Sequence, residues 1–224
     1  MSMLSNLELI RRVPLFALLT AVQAESVAAA VTKRRFKRGE MIVEQGEKSN
    51  TLFIILTGRV RVVTSDKRGR EVILATLQPG DYIGEMSLID NEPHSATCRA
   101  EVQTDMLVLG RTEFARCLPE NSSMAYAIMK GLVQRLRQAD RKIESLALMD
   151  VYGRVARALL EFAVPDREGE MVIRDKISRQ DIAKMVGASR EMVSRVMKDL
   201  EDRGFIETRP DGSMLVKDRL TTLG

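Results

Sequence analysis

Three textures along the 224-residue sequence predict an α+β chain: an N-terminal β-roll behind short helices, one long helix, and a C-terminal winged helix-turn-helix. The first texture is a series of short β-rich runs broken by glycine about every ten residues. The second is a heptad-spaced apolar stripe. The third is a pair of capped helices followed by a hairpin. The expected boundaries are 1–120, 121–149 and 150–224.

Residues Met1 to Val31 read as short helices, interrupted where Pro14 begins a break. From Lys33 to Leu118 the runs Phe53–Leu56, Val60–Val63, Val72–Leu74 and Met106–Leu109 are strand-like. Gly39, Gly46, Gly58, Gly69, Gly80 and Gly84 punctuate them, which suits a roll or barrel rather than alternating strand–helix units. From Ser122 to Met149 the period changes. Ala125, Met129, Leu132, Leu136, Ala139, Ile143 and Leu146 are spaced alternately by four and three residues, and Asn121, Ser122 and Ser123 offer N-caps. A stripe of that period points to a parallel homodimer along these seven residues, with packing against its own domain as the alternative. Beyond it, a hinge is expected at Leu148–Gly153. Ile206–Thr208 and Met214–Val216 flank the turn Pro210–Ser213.

Composition excludes several classes of function. Hydrophobic residues make up 45% and charged residues 29%, enough to bury cores for two modest domains. With no Trp and 4% aromatics, those cores must be aliphatic and Met-filled. One histidine, His94, and two cysteines, Cys98 and Cys117, rule out a disulfide framework, a four-Cys zinc site and a His-rich metal cage. A cupin-type metalloenzyme, which a β-roll superficially suggests, fails on the same ground. No apolar run approaches the roughly 20 residues of a membrane helix, and Met1–Phe16 lacks a signal-peptide core. A cytoplasmic protein with no enzymatic activity and no membrane partner is expected. The net charge of +4 permits a polyanionic one.

The segment Ile177–Leu200 points to double-stranded DNA. Ser178 can cap a first helix, with Asp181 three residues on and Ile182, Ala183 and Val186 inside. Gly187-Ala188 makes the turn and Ser189 caps the next helix. On that helix Val193, Val196, Met197 and Leu200 form an apolar face. Glu191, Ser194, Arg195 and Lys198 lie opposite, with Arg190 at the border. Seven basic and three acidic residues fall between Arg174 and Lys198, whereas Ala147–Gly224 as a whole carries fourteen of each. Arg190 and Arg195 can pair with guanine O6/N7, and Glu191 can accept from cytosine N4. Ser178, Arg179, Gln180, Ser189 and Lys198 suit phosphates.

With Arg190-Glu191 and Arg195 following the capped turn, Ser178–Lys198 resembles the recognition unit of the CRP/FNR (cyclic-AMP receptor protein) family. The resemblance extends over nearly the whole chain. It includes Glu44-Gln45-Gly46-Glu47 and Gly80–Leu88 in the roll, and Leu148–Arg154 after the long helix. It implies a cyclic-nucleotide-binding sensor domain at 1–120, a dimerisation helix at 121–149 and a DNA-binding domain at 150–224. It also implies a homodimer on a palindromic operator of TGTGA-type half-sites, with RNA polymerase as a partner. The resemblance makes Gly84, Glu85, Met86, Ser87, His94, Ser95 and Ala96 the phosphate-binding cassette.

Two departures bear on the effector. In cyclic-AMP responders an arginine and a small hydroxyl residue clamp the phosphate; here the pair reads His94-Ser95, which replaces a fixed charge by a neutral donor. On the dimer helix a Thr-Ser pair reads adenine; here it is Ala139-Asp140. A carboxylate suits the adjacent N1–H and N2–H₂ donors of guanine, and Arg137 and Arg141 flank it to stack on bases or pair with phosphates. Some branches of the resembled family respond to cyclic di-GMP, so the resemblance and Asp140 together imply a guanine-containing effector, cyclic di-GMP, with cyclic AMP as the second expectation. No N-terminal cysteine cluster is available for an iron–sulfur centre, and His94 alone would have to serve a haem. A redox role for Cys98 or Cys117, and a nucleotide-binding module acting on a protein partner, are the remaining alternatives.

Overall fold

The computed structural model describes residues 5–17, 19–117, 122–217 and 220, without the side chains of residues 116, 117, 122 and 123. Asn121 and the Cys117 thiol therefore lie outside the described atoms. The chain divides into two compact units, Met1–Leu136 and Arg137–Gly224, and the division falls inside the long helix.

The first unit opens with α1 (Asn6–Ile10), a 3-10 turn at Pro14–Phe16, and α2 (Ala21–Ala30). Each α-helix begins with a reciprocal capping box, Ser5 with Glu8 and Thr20 with Gln23. The roll follows: β1 (Thr32–Phe36), β2 (Met41–Val43), β3 (Thr51–Thr57), β4 (Val60–Ser65), β5 (Glu71–Leu77), β6 (Tyr82–Ile83), then α3 (Glu85–Asp90), β7 (Thr97–Ala100), β8 (Thr104–Gly110) and α4 (Arg111–Cys117). One sheet has the order β1-β8-β3-β6, the other β2-β7-β4-β5.

Strand β3 shows why its sequence is apolar without alternation. Leu52 and Ile54 pack outward with Ile10, Phe16, Val27, Leu107 and Leu109, under the helices. Phe53 and Ile55 pack inward with Val60, Leu77, Cys98 and Met106. Both faces are covered, so successive positions are all buried. A bulge shifts the pairing with β8 between Ile55 and Thr57.

The long helix, α5 (Ser122–Leu148), buries Met124 and Ile128 in the outward cluster, with Leu132 packed at its edge. The expected seam is therefore refined. Leu132 packs against its own unit and Ala125 is half-buried, whereas Met129 (56% exposed), Leu136 (62%) and Ile143 (64%) form an open apolar line, with Leu146 and Ala139 also exposed. Tyr126 and Val133, outside the expected set, extend it.

The second unit contains α6 (Val151–Phe162), β9 (Val164–Pro165), β10 (Met171–Ile173), α7 (Arg179–Val186), α8 (Arg190–Asp202), β11 (Ile206–Thr208) and β12 (Met214–Val216). Its sheet runs β11-β12-β10-β9. The expected hinge is a two-residue interruption at Met149-Asp150, where Asp150 caps α6 by accepting from the Gly153 N–H at 2.8 Å. Val155, Leu159, Ile182, Val186, Val193, Met197 and Leu200 share one core.

Candidate functional site

The cassette begins where β6 ends. Gly84 has φ +96°, and a Cβ there would lie 2.4 Å from the Thr51 carbonyl oxygen. Backbone conformation and close approach both require glycine. Helix α3 then runs to Asn91, which closes it in the left-handed region. The Arg111 guanidinium donates to the carbonyls of Ser87 at 2.8 Å and Leu88 at 3.4 Å, anchoring the far end of α3. The chain returns through His94, whose N–H donates to the Glu47 carbonyl at 2.8 Å while its own carbonyl accepts from Gly46 at 2.8 Å.

His94 is 8% exposed. Its Nδ1 lies 3.1 Å from Ser87 Oγ and its Nε2 2.8 Å from Ser49 Oγ. Burial pushes its pKa below the usual histidine range, which favours the neutral ring. Among the other expected cassette residues, Ser87 and Ala96 are buried and Met86 and Ser95 are exposed. Ser49, one arm of the histidine's support, was not expected; a lone loop serine 45 residues away carries no sequence signal.

Glu85 is 1% exposed. Its Oε1 accepts from Arg135 of α5, which also donates to the Tyr82 carbonyl and stacks 4.9 Å from the Tyr82 ring centroid. Burial raises the Glu85 carboxyl above its ordinary range more than Arg135 lowers it. The Tyr82 hydroxyl donates to the Ile128 carbonyl at 3.1 Å. This close approach needs Gly131, where a Cβ would fall 2.0 Å from that hydroxyl. Helix α5 is thus keyed to the cassette through Ile128, Gly131 and Arg135. Arg135, like Ser49, is a residue of this site that the sequence does not announce. Arg137, Asp140 and Arg141 are exposed on α5 and belong to the second unit, whereas Gly84–Ala96 belongs to the first.

In the second unit the expected reading element forms as two capped helices. Ser178 Oγ accepts from the Asp181 N–H at 3.0 Å, Gly187 terminates α7 at φ +65°, and Ser189 Oγ accepts from the Met192 N–H at 3.2 Å. Val193, Val196, Met197 and Leu200 are buried, while Arg190, Glu191, Arg195 and Lys198 stay exposed, as do Ser178, Gln180 and Ser189. Two expected contacts are less available. Ser194 is half-buried and its hydroxyl donates back to the Arg190 carbonyl at 2.9 Å. Arg179 is also half-buried, with its Nη1 enclosed. The Glu191 carboxyl is held below its usual range, first by a backbone N–H and then by Ser189, with Arg190 and Arg195 adding to it. It is therefore ionised and acceptor-only, the form that cytosine N4 requires.

Cys98 is buried in the inward core, and its thiol is pushed up to about 12 by desolvation. It carries almost no thiolate near neutral pH. A maleimide at pH 7.5, followed by peptide mapping, is expected to leave Cys98 unmodified in the folded protein. Rapid labelling of that peptide would restore a redox role. Among the described residues no group of three or more His, Cys, Asp or Glu side chains converges on a metal position. No described helix is long and apolar enough to cross a membrane.

Comparison with known proteins matches the two stretches of chain that carry these residues, in the same order. The cyclic nucleotide-binding domain family matches residues 33–121, and the Crp-like helix-turn-helix domain family matches residues 153–220. The cAMP-activated global transcriptional regulator Vfr of Pseudomonas aeruginosa is 34% identical over 83% of this chain and 89% of its own length. The cAMP-activated global transcriptional regulator CRP of Salmonella typhimurium is 36% identical over 74% of this chain and 80% of its own. Among solved structures, the c-di-GMP responsive global regulator CLP of Xanthomonas campestris superposes with a TM-score of 0.75 at 26% identity, covering 88% of this chain and 98% of that one. A sensor roll keyed to a long helix, ahead of a capped helix-turn-helix, places this chain in the CRP/FNR family of transcription regulators.

Proposed function

We propose that this chain is a homodimeric transcription regulator whose binding to palindromic TGTGA-type operators is gated by a guanine-containing cyclic nucleotide, cyclic di-GMP. The observation that carries the gating is the Arg135–Glu85 pair. One member belongs to the cassette and the other to the helix that leads toward the DNA-binding domain. A ribose hydroxyl that donates to Glu85, or a phosphate that attracts Arg135, competes with that pair and so acts on α5. Its effect on DNA affinity equals its differential affinity for two arrangements of the helix, about 1–3 kcal/mol for typical allosteric coupling. The open line Met129, Leu136, Ile143 and Leu146 supplies the dimer seam. The role is regulatory rather than catalytic, and cytoplasmic, with RNA polymerase as the downstream partner.

The guanine preference rests on the exposed Asp140 between Arg137 and Arg141, and on a cassette that offers His94 and Ser95 where a fixed guanidinium would favour a simple cyclic monophosphate. Cyclic AMP is the second reading, favoured by curated relatives that are cAMP-activated at 34–36% identity. Calorimetry with cyclic di-GMP, cyclic GMP and cyclic AMP separates them. Asp140→Ala is expected to weaken the guanine ligand by about tenfold or more, the loss of one charge-assisted hydrogen bond, and to spare cyclic AMP. Undiminished cyclic di-GMP binding by that variant would overturn the guanine assignment.

A further inference from the structure

His94 is the chain's one histidine, and it is held between two hydroxyls rather than between charges. Among the described residues, the charged groups on the elements that carry it and its two partners are otherwise engaged or exposed. Glu47 meets it through a backbone carbonyl, Glu85 is paired with Arg135, and Arg111 donates to the Ser87 carbonyl. Glu44, Lys48, Asp90 and Glu92, on the two loops that carry Ser49 and His94, are exposed. Burial lowers the ring's pKa. The ring also sits at the head of α3: a Cβ on Gly84 would lie 3.9 Å from His94 Cε1, the carbon between the two nitrogens.

Hydrogen-bond bookkeeping around this ring has two solutions. A neutral imidazole has one N–H and one lone pair, so one serine accepts from it and the other must donate to it. An imidazolium has two N–H groups, both serines accept, and both hydroxyl hydrogens are released. We propose that His94 is a positioning residue that makes effector binding proton-linked, because Ser49 and Ser87 can both donate to an anionic phosphodiester only when the imidazole has taken up a proton from solvent. This rests on the cyclic-nucleotide reading above. Without a counter-charge the buried ring resists protonation, and the phosphodiester supplies that charge. A phosphodiester keeps its single negative charge throughout the neutral range, so the proton taken up goes to the protein.

The sign follows from linkage. The bound imidazole has the higher pKa. Between the free and bound values, affinity falls by up to about tenfold for each unit of rising pH, and it is flat outside that window. Calorimetry of the full chain with cyclic di-GMP and with cyclic AMP, in buffers of differing ionisation enthalpy, is expected to report net proton uptake within the window, about half a proton per site for a one-unit rise in pKa and approaching one for a larger rise. The single imidazole NMR resonance is expected to titrate at least about one unit higher when nucleotide is bound. His94→Gln retains a donor and an acceptor for the two hydroxyls but cannot titrate, so its nucleotide affinity is expected to be independent of pH. Ser49→Ala with Ser87→Ala is expected to lose more affinity at the acid end of the window than at the alkaline end. Nucleotide binding with no proton uptake and an unmoved imidazole resonance overturns this inference and leaves the cyclic-nucleotide reading standing. Failure of every nucleotide to bind at any pH overturns both.

Discussion

Arg135→Ala is expected to lower the stability of the first unit by about 3 kcal/mol, the low end for removing one partner of a buried ion pair. The low end applies because the Arg135 side chain is 33% exposed while that of Glu85 is only 2% exposed. The loss arises chiefly from a carboxylate left in the interior without its guanidinium. That cause fixes the pH dependence. With Arg135 gone, the folded-state pKa of Glu85 rises further above its unfolded value. The variant is then relatively secure below the unfolded value and loses stability as pH rises through the folded one. The difference between wild-type and variant unfolding curves should shrink in mild acid, and the contribution of His94 cancels in that difference. Glu85→Gln in the Arg135→Ala background should recover much of the loss at neutral pH. A deficit that persists unchanged at pH 5, or that Glu85→Gln does not relieve, would assign the cost to lost packing on Tyr82 instead.

Arg190→Ala combined with Arg195→Ala is expected to abolish sequence-specific operator binding while leaving the fold intact. Both side chains are exposed on α8, whose buried face is formed by other residues. Each bidentate guanine contact contributes about 1–3 kcal/mol of discrimination, so the pair removes about 2–6 kcal/mol per protomer if the two act independently. Fluorescence anisotropy with a TGTGA palindrome at fixed salt reads the loss. A scrambled duplex gives the non-specific floor toward which the variant should fall. A duplex with one half-site should bind the wild type far more weakly than the palindrome, as a two-headed dimer requires. Lys198→Ala provides a contrast: it should weaken binding to all sequences alike and reduce the salt slope by about one. Retained discrimination by the double variant would mean that α8 does not carry the readout.

Local chemistry was legible in the sequence, whereas long-range pairing was not. Ser178, Gly187 and Ser189 announced the two helices and their turn because caps and left-handed glycines act within a few residues. The strands were visible as β-branched runs between glycines. The apolar stripe of α5 was visible too, but periodicity leaves two adjacent lines of side chains equivalent. Only packing reveals that Leu132 turns toward its own unit while Met129, Leu136 and Ile143 stay open. Arg135 looked like an ordinary surface charge between Leu132 and Leu136, because its partner lies 50 residues earlier. The family resemblance gives His94 a place in the cassette, but its pairing with Ser49 and Ser87 depends on how two loops and α3 meet, which no local pattern encodes.

The double-faced burial of β3 has a consequence for how its alignment is kept. Sliding the strand by one position would exchange Leu52 and Ile54 with Phe53 and Ile55, one oily set for another, so polarity scarcely discriminates between the two arrangements. Discrimination falls to shape: the benzene ring of Phe53 against Phe36 at 6.0 Å between centroids, and the irregularity after Ile55. A deletion just ahead of Gly58 would therefore leave the interior as greasy as before but poorly interlocked. Its signature would be a blurred, heterogeneous interior rather than a newly sticky exterior.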